Sequence, residues 1–121
     1  VDRSENMLAE AQKTLSRFAG RVQYVQADLE RITLHEPVDI VFSTATFHWV
    51  PDHDSLFRHL YACLKRGGIL HAQCGGGANL ERIHARANEL LLREPYQARF
   101  VGFREPWFLI AGPALVCELV A

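Results

Sequence analysis

The sequence predicts an α/β fold, a doubly wound sheet with its helices packed on the sheet faces. Three observations predict it. Val38 to Ser43 is an almost continuous apolar run, which suits a strand buried on both faces of a parallel sheet. Segments with apolar residues at helical spacing alternate with short β-rich runs along most of the chain. Polar or glycine-rich stretches follow the strand-like runs, where ligands of open α/β sheets bind.

The elements follow in order. Val1-Asp2 reads as the end of a strand. Ser4 is placed to cap a helix. Leu8, Ala11, Leu15 and Phe18 form its apolar stripe, and Gly20 ends the pattern. Val22 to Gln26 is short and β-rich, a strand with Asp28 at its carboxyl end. After the Val38–Ser43 strand, Pro51-Asp52-His53-Asp54 opens a helix with Leu56, Phe57, Leu60, Cys63 and Leu64 inside. Gly67-Gly68 reads as a turn, and Ile69 to Cys74 as the next strand, ending in Gly75-Gly76-Gly77. Asn79 is placed to cap a third helix whose apolar face is Leu80, Ile83, Ala87, Leu90 and Leu91, and Pro95 stops or bends it. Phe100 to Ile110 is an irregular, aromatic-rich segment. Gly112-Pro113 suits the start of a last helix, with Pro in its first turn.

Composition narrows the function. The chain has 121 residues, 49% apolar and 22% charged, so it holds one domain or part of one. A net charge of -1, with no block of like charges, gives no footprint for nucleic acid or an anionic membrane. No apolar run reaches the roughly 18 residues of a membrane span. The cysteines Cys63, Cys74 and Cys117 are widely spaced and form no C-x-x-C pair. They read as free thiols in a reducing, cytoplasmic setting. No histidine or cysteine spacing suggests a metal site.

Chemistry concentrates at the strand ends. Asp2 precedes a helix, where a carboxylate either accepts from ribose hydroxyls or caps the helix. Asp28, one helix and one strand later, suits an exocyclic amine, with the Leu29 N–H donating to a ring nitrogen; an ordinary loop aspartate is the plain alternative. Phe47, His48 and Trp49 follow the buried strand directly. Aromatics there flank a sulfonium or wall a pocket, though Trp49 also reads as packing under the next helix. His48 suits a general base, a hydrogen-bond donor to a substrate carboxylate, or a satisfied loop histidine. His35, His53, His59, His71 and His84 read as surface or packing residues. The three glycines at 75–77 read as a flexible turn, since no G-K-[ST] follows.

V-D-R-S-E-N-M-L, Q-A-D-L, F-H-W-V-P-D-H and L-K-R-G-G together resemble class I S-adenosylmethionine-dependent methyltransferases of the small-molecule, trans-aconitate type. The resemblance covers Val1 to Cys74, and more loosely the segment at Pro106-Trp107-Phe108. It implies a Rossmann-like sheet truncated at both ends. Residues 1–77 are the core α/β portion and 78–121 a helix with a substrate-cap-like segment. The family's first strand and glycine-rich loop belong before Val1, and its last two strands beyond Ala121. The chain is therefore expected to be an internal fragment, poorly stable alone and a weak binder of the cofactor.

The implied activity is methyl transfer from S-adenosylmethionine to a small molecule, with a carboxylate oxygen as acceptor. Asp2, Asp28, Leu29 and Ser43 would contact the cofactor, Phe47 and Trp49 the substrate, and His48 the reacting centre. Two rivals remain: a non-catalytic methyltransferase-like binding domain, and a nicotinamide-dependent Rossmann oxidoreductase. The F-H-W loop and the lack of a Tyr-x-x-x-Lys pair argue against the second.

Overall fold

A computed structural model describes residues 1–109 and the strand at 116–120. In order they form α1 (Glu5–Thr14), β1 (Val38–Thr44), α2 (His53–Ala62), β2 (Leu64–Gln73), α3 (Glu81–Leu91) and β3 (Val116–Val120). Short 3-10 turns lie at Ser16–Arg21, Leu29–Arg31, Phe47–Trp49 and Gln97–Arg99. The strands join in one sheet, in the order β1-β2-β3. Val38 N–H donates to the Cys63 carbonyl at 2.9 Å and Ala45 N–H to that of Gln73 at 2.7 Å. Both partners advance along the chain together, so β1 and β2 run parallel, and α2 connects them.

Backbone contacts divide the chain into two compact units. The first holds Val1–Val41, Asp52–Leu70 and Leu119–Ala121; the second holds Phe42–Pro51 and His71–Glu118.

In the first unit, Ser4 caps α1 as expected, its hydroxyl accepting from Met7 N–H at 3.4 Å. The helix stops at Thr14 rather than near Gly20, and a 3-10 turn takes Ser16–Arg21. The apolar stripe survives this change. Leu8, Ala11, Leu15 and Phe18 are the partly covered residues from Glu5 to Arg21. Asp52 caps α2 by accepting from Ser55 N–H at 2.9 Å. Glu30 holds the same end, accepting from Asp52 N–H at 2.8 Å and, through its carbonyl, from the Ser55 hydroxyl at 3.3 Å. The buried apolar side chains of this unit are Ile32, Leu56, Leu60, Cys63, Leu64 and Leu70. Leu56, Leu60, Cys63 and Leu64 are members of the predicted α2 stripe. Burial pushes the Cys63 thiol up from its ordinary pKa, against a smaller opposing effect of a backbone hydrogen bond from Leu34.

Several expectations need correction. Val22 to Gln26 is not a strand. Among the described residues its pairing is one parallel bridge between Asp2 and Gln26. β1 is not buried on both faces: Ile40 and Phe42 are 63% and 69% exposed, while Val41 and Ser43 are half-buried. The described residues cover one face of this strand, which gives the alternation of a one-sided strand. Gly67-Gly68 is not a turn before the strand. β2 already begins at Leu64, and Gly67, at φ 78°, carries its kink from inside.

Gly68 permits the close approach that follows. A Cβ there would sit 2.8 Å from the Lys65 carbonyl oxygen and 3.1 Å from that of Asp39. Both are backbone atoms and cannot swing away. Gly68→Ala is therefore expected to cost about 1–3 kcal/mol. An unchanged urea midpoint in that variant would refute the packing argument.

In the second unit, α3 forms but Asn79 does not cap it. Leu80 occupies the cap position in the left-handed region, at φ 59°, without a side-chain bond. The Asn79 amide instead lies over Gly75, whose added Cβ would meet it at 2.9 Å. The expected apolar face is also displaced. Leu80, Ile83, Ala87 and Leu90 are exposed, and the partly covered residues are His84 and Leu91. The predicted last helix is absent at 116–120, where Val116–Val120 is a strand. Its Val-Cys-Glu-Leu-Val composition and the open edge of β2 outweigh the Pro signal. Gly112-Pro113 itself lies outside the described residues.

Candidate functional site

In the first unit, Asp2 and Asp28 end neighbouring chain segments. Asp2 N–H donates to the Val25 carbonyl and Ala27 N–H to the Asp2 carbonyl, each at 3.1 Å. That pairing brings the residue before Asp28 against Asp2. Each carboxylate commits one oxygen locally. Asp2 Oδ1 accepts from Ser4 N–H at 2.8 Å, and Asp28 Oδ1 from Glu30 N–H at 3.0 Å. Asp28 thereby caps the Leu29–Arg31 turn. Among the described residues, no hydrogen bond takes the second oxygen of either. Asp2 thus braces the residue that caps α1 and Asp28 caps its own turn, each through one oxygen, with the other left to accept. Leu29 is half-buried within the turn.

In the second unit, β1 ends in a sharp bend. Ala45 takes φ 54°, a region that costs a non-glycine residue roughly 1–2 kcal/mol, and its N–H is tied to the Gln73 carbonyl. The bend leads into the Phe47–Trp49 turn. Ser43 is half-buried near the end of β1. Phe47 is 2% exposed, so its ring packs in the core and presents no wall to solvent. Trp49 does the opposite: it is 48% exposed and does not fill the core.

His48 is 6% exposed and held on three sides. Gly75 N–H donates to its Nδ1 at 3.2 Å, and its carbonyl accepts from Phe108 N–H at 2.7 Å. Trp107 stacks on its ring, 4.9 Å between centroids and 8° from parallel. Trp107 also lies 4.6 Å from Trp49. Burial lowers the His48 pKa from its ordinary 6.5. The folded protein then holds fewer protons than the unfolded chain just below pH 6.5. Stability is expected to fall as the pH drops from 7.5 through 6.5 toward the depressed folded value. Urea midpoints at pH 7.5 and 5.5 test this. The acid loss should shrink in His48→Gln, and an equal loss in both proteins would refute it.

Three residues escaped the sequence reading. His84, read as a surface or packing residue, bonds Glu105 at 3.1 Å and meets Trp107 edge-on at 5.7 Å. Glu105 also accepts from Asn88 at 3.0 Å. The hydrogen bond from His84 is the main reason the Glu105 carboxyl sits below its usual range, with that from Asn88 adding less. A cavity of about 440 Å³ adjoins them, lined by Asn79, Glu81, His84, Ala85 and Glu105 among others. The signal that could have found them is weak: α3 carries His84 and Asn88 one turn apart, two polar residues of which only His84 is partly covered. Among the described residues no group of three His, Cys, Asp or Glu is arranged for a metal ion, and no helix is long and apolar enough to cross a membrane.

Comparison with known proteins places this geometry. A methyltransferase domain family model matches residues 1–72. The trans-aconitate 2-methyltransferase of Azoarcus sp. (strain BH72) is 35% identical over 107 residues, covering 86% of this chain and 38% of that protein. A malonyl-(acyl-carrier protein) O-methyltransferase of Calditerrivibrio nitroreducens is 38% identical over 71 residues, covering 59% of this chain and 29% of the relative. The chain thus spans well under half the length of these relatives. A solved S-adenosylmethionine-dependent methyltransferase from Clostridium acetobutylicum superposes with a TM-score of 0.61 at 18% identity, over 67% of this chain and 35% of that one. That likeness fixes the fold as part of a Rossmann-like α/β sheet. With a family match over more than half its residues, the chain belongs to the methyltransferase domain family.

Proposed function

We propose that this chain is part of a longer, cytoplasmic enzyme that transfers a methyl group from S-adenosylmethionine to a small molecule, with a carboxylate oxygen as acceptor. The observation that carries the reading is the pair Asp2 and Asp28 on bridged segments, each keeping one carboxylate oxygen open. The fit to the cofactor is chemical. A ribose offers vicinal hydroxyl donors and an adenine an amine donor, and acceptors are what these two residues present. Asp2 would hold the ribose. Asp28 and the Leu29 N–H would hold the base, and Ser43 would contact the cofactor from the end of β1. When bound, S-adenosylmethionine supplies a sulfonium methyl already activated for displacement. The protein's share is then chiefly positioning.

On the acceptor side, Trp49 and Trp107 give an aromatic surface, with Phe47 as its buried support. His48 is the polar group at that surface. In this reading residues 1–77 are the core α/β portion and 78–121 a helix with a substrate-cap-like segment. The resemblance to relatives named for trans-aconitate and malonyl-acyl-carrier protein supports a carboxylate acceptor. Both names describe acidic substrates or carriers of them.

Titrating S-adenosylhomocysteine into the full-length protein tests the reading. Saturable binding is the expected result. No binding would overturn the enzyme assignment in favour of a methyltransferase-like binding domain.

A further inference from the structure

We propose that His48 recognises an acceptor oxygen of the methyl acceptor through its Nε2–H, as a hydrogen-bond donor and not as a general base. The proposal rests on the small-molecule methyltransferase reading and assigns the chemistry of its acceptor site.

The argument begins with the other ring nitrogen. A backbone N–H only donates, so the Gly75 N–H fixes Nδ1 as an acceptor. A neutral imidazole has one acceptor and one donor nitrogen, so the proton sits on Nε2. A base needs a free lone pair at the atom facing its substrate. Here the lone pair is spent on Gly75 and the remaining nitrogen carries hydrogen. Protonating Nδ1 would set two N–H groups against each other, 3.2 Å apart. Burial, which lowers the His48 pKa from its ordinary value, agrees with this.

Nε2 has no protein partner among the described residues, since Gly75 is the one hydrogen-bond partner of the ring. Yet no buried side-chain nitrogen or oxygen in the described structure lacks a partner. Nε2 therefore reaches accessible space, although the residue as a whole is 94% buried by its 6% exposure. One donor is thus held at the surface by a ring that cannot turn. Trp107 stacks on one face, Gly75 holds the opposite nitrogen, and the main chain is tied to Phe108. A fixed, unpartnered donor beside exposed Trp49 is what a planar carboxylate or carbonyl oxygen needs.

The test uses the full-length protein labelled with ¹⁵N-histidine. Two-bond nitrogen–proton correlations should show His48 in the Nε2–H form between pH 7 and 9. Adding trans-aconitate, the probe acid, should shift that Nε2 resonance saturably. His48→Ala should weaken trans-aconitate binding about 10- to 100-fold, and His48→Gln, which keeps an N–H near the Nε2 position, should recover most of it. An Nδ1–H form, or an Nε2 signal indifferent to the probe, would overturn the proposal. So would a His48→Gln variant that binds normally but loses turnover about 100-fold or more, the mark of a lost base. S-adenosylhomocysteine titration runs beside these measurements. Its failure strikes the methyltransferase reading, while the tautomer and the probe shift still judge His48.

Discussion

Asp2→Ala is expected to weaken S-adenosylhomocysteine binding by about 10- to 100-fold in the full-length protein, the range for hydrogen bonds to a charged group. The open oxygen of Asp2 is the acceptor lost. The variant also loses the bond from Ser4 N–H at the start of α1, so a second change separates the two effects. Asp2→Asn keeps an oxygen for Ser4 and removes the charge. If ribose hydroxyls bind the carboxylate, Asn falls between wild type and Ala in affinity, while the melting temperatures of wild type and Asn agree. Affinity equal to wild type in Asp2→Ala would remove Asp2 from the cofactor site. Calorimetric titration of the three proteins decides it.

Leu56→Ala is expected to destabilise the protein by about 2–5 kcal/mol. Leu56 opens the α2 stripe and is fully buried, with Leu60 one turn later also buried. Truncation loses the transfer free energy of the side chain and leaves a cavity that the helix, capped by Asp52 and held by Glu30, cannot close by shifting. In the full-length protein, against the roughly 5–15 kcal/mol typical of folded domains, that loss is severe. Leu92, 74% exposed, is the matching control, and Leu92→Ala should stay within about 0.5 kcal/mol. Urea denaturation of both variants checks the pair. A small effect at Leu56 would mean that the first unit does not carry the cooperative core.

What the residues determined on their own is local. Ser4 and Asp52 mark helix starts because a short side-chain acceptor satisfies N–H groups within the same turn. The α2 stripe is legible because helical periodicity is written into consecutive residues. Asp2 and Asp28 stand out because each follows a short β-rich run, and the structure brings the residue before Asp28 against Asp2 although neither run forms a strand.

Tertiary structure decided what depends on residues far apart in sequence. Gly67 takes φ 78° inside β2, and Gly68 beside it approaches the Asp39 carbonyl, a contact that no local pattern records. The tautomer of His48 follows from Gly75, and its stacking from Trp107. The pairing of His84 with Glu105 joins α3 to the aromatic segment. Which face of β1 or α3 is covered is likewise a property of the neighbouring layer. A sequence states what each segment can bury; only the packed chain settles which neighbour it meets, because that choice is made by sterics and hydrogen bonding across the fold.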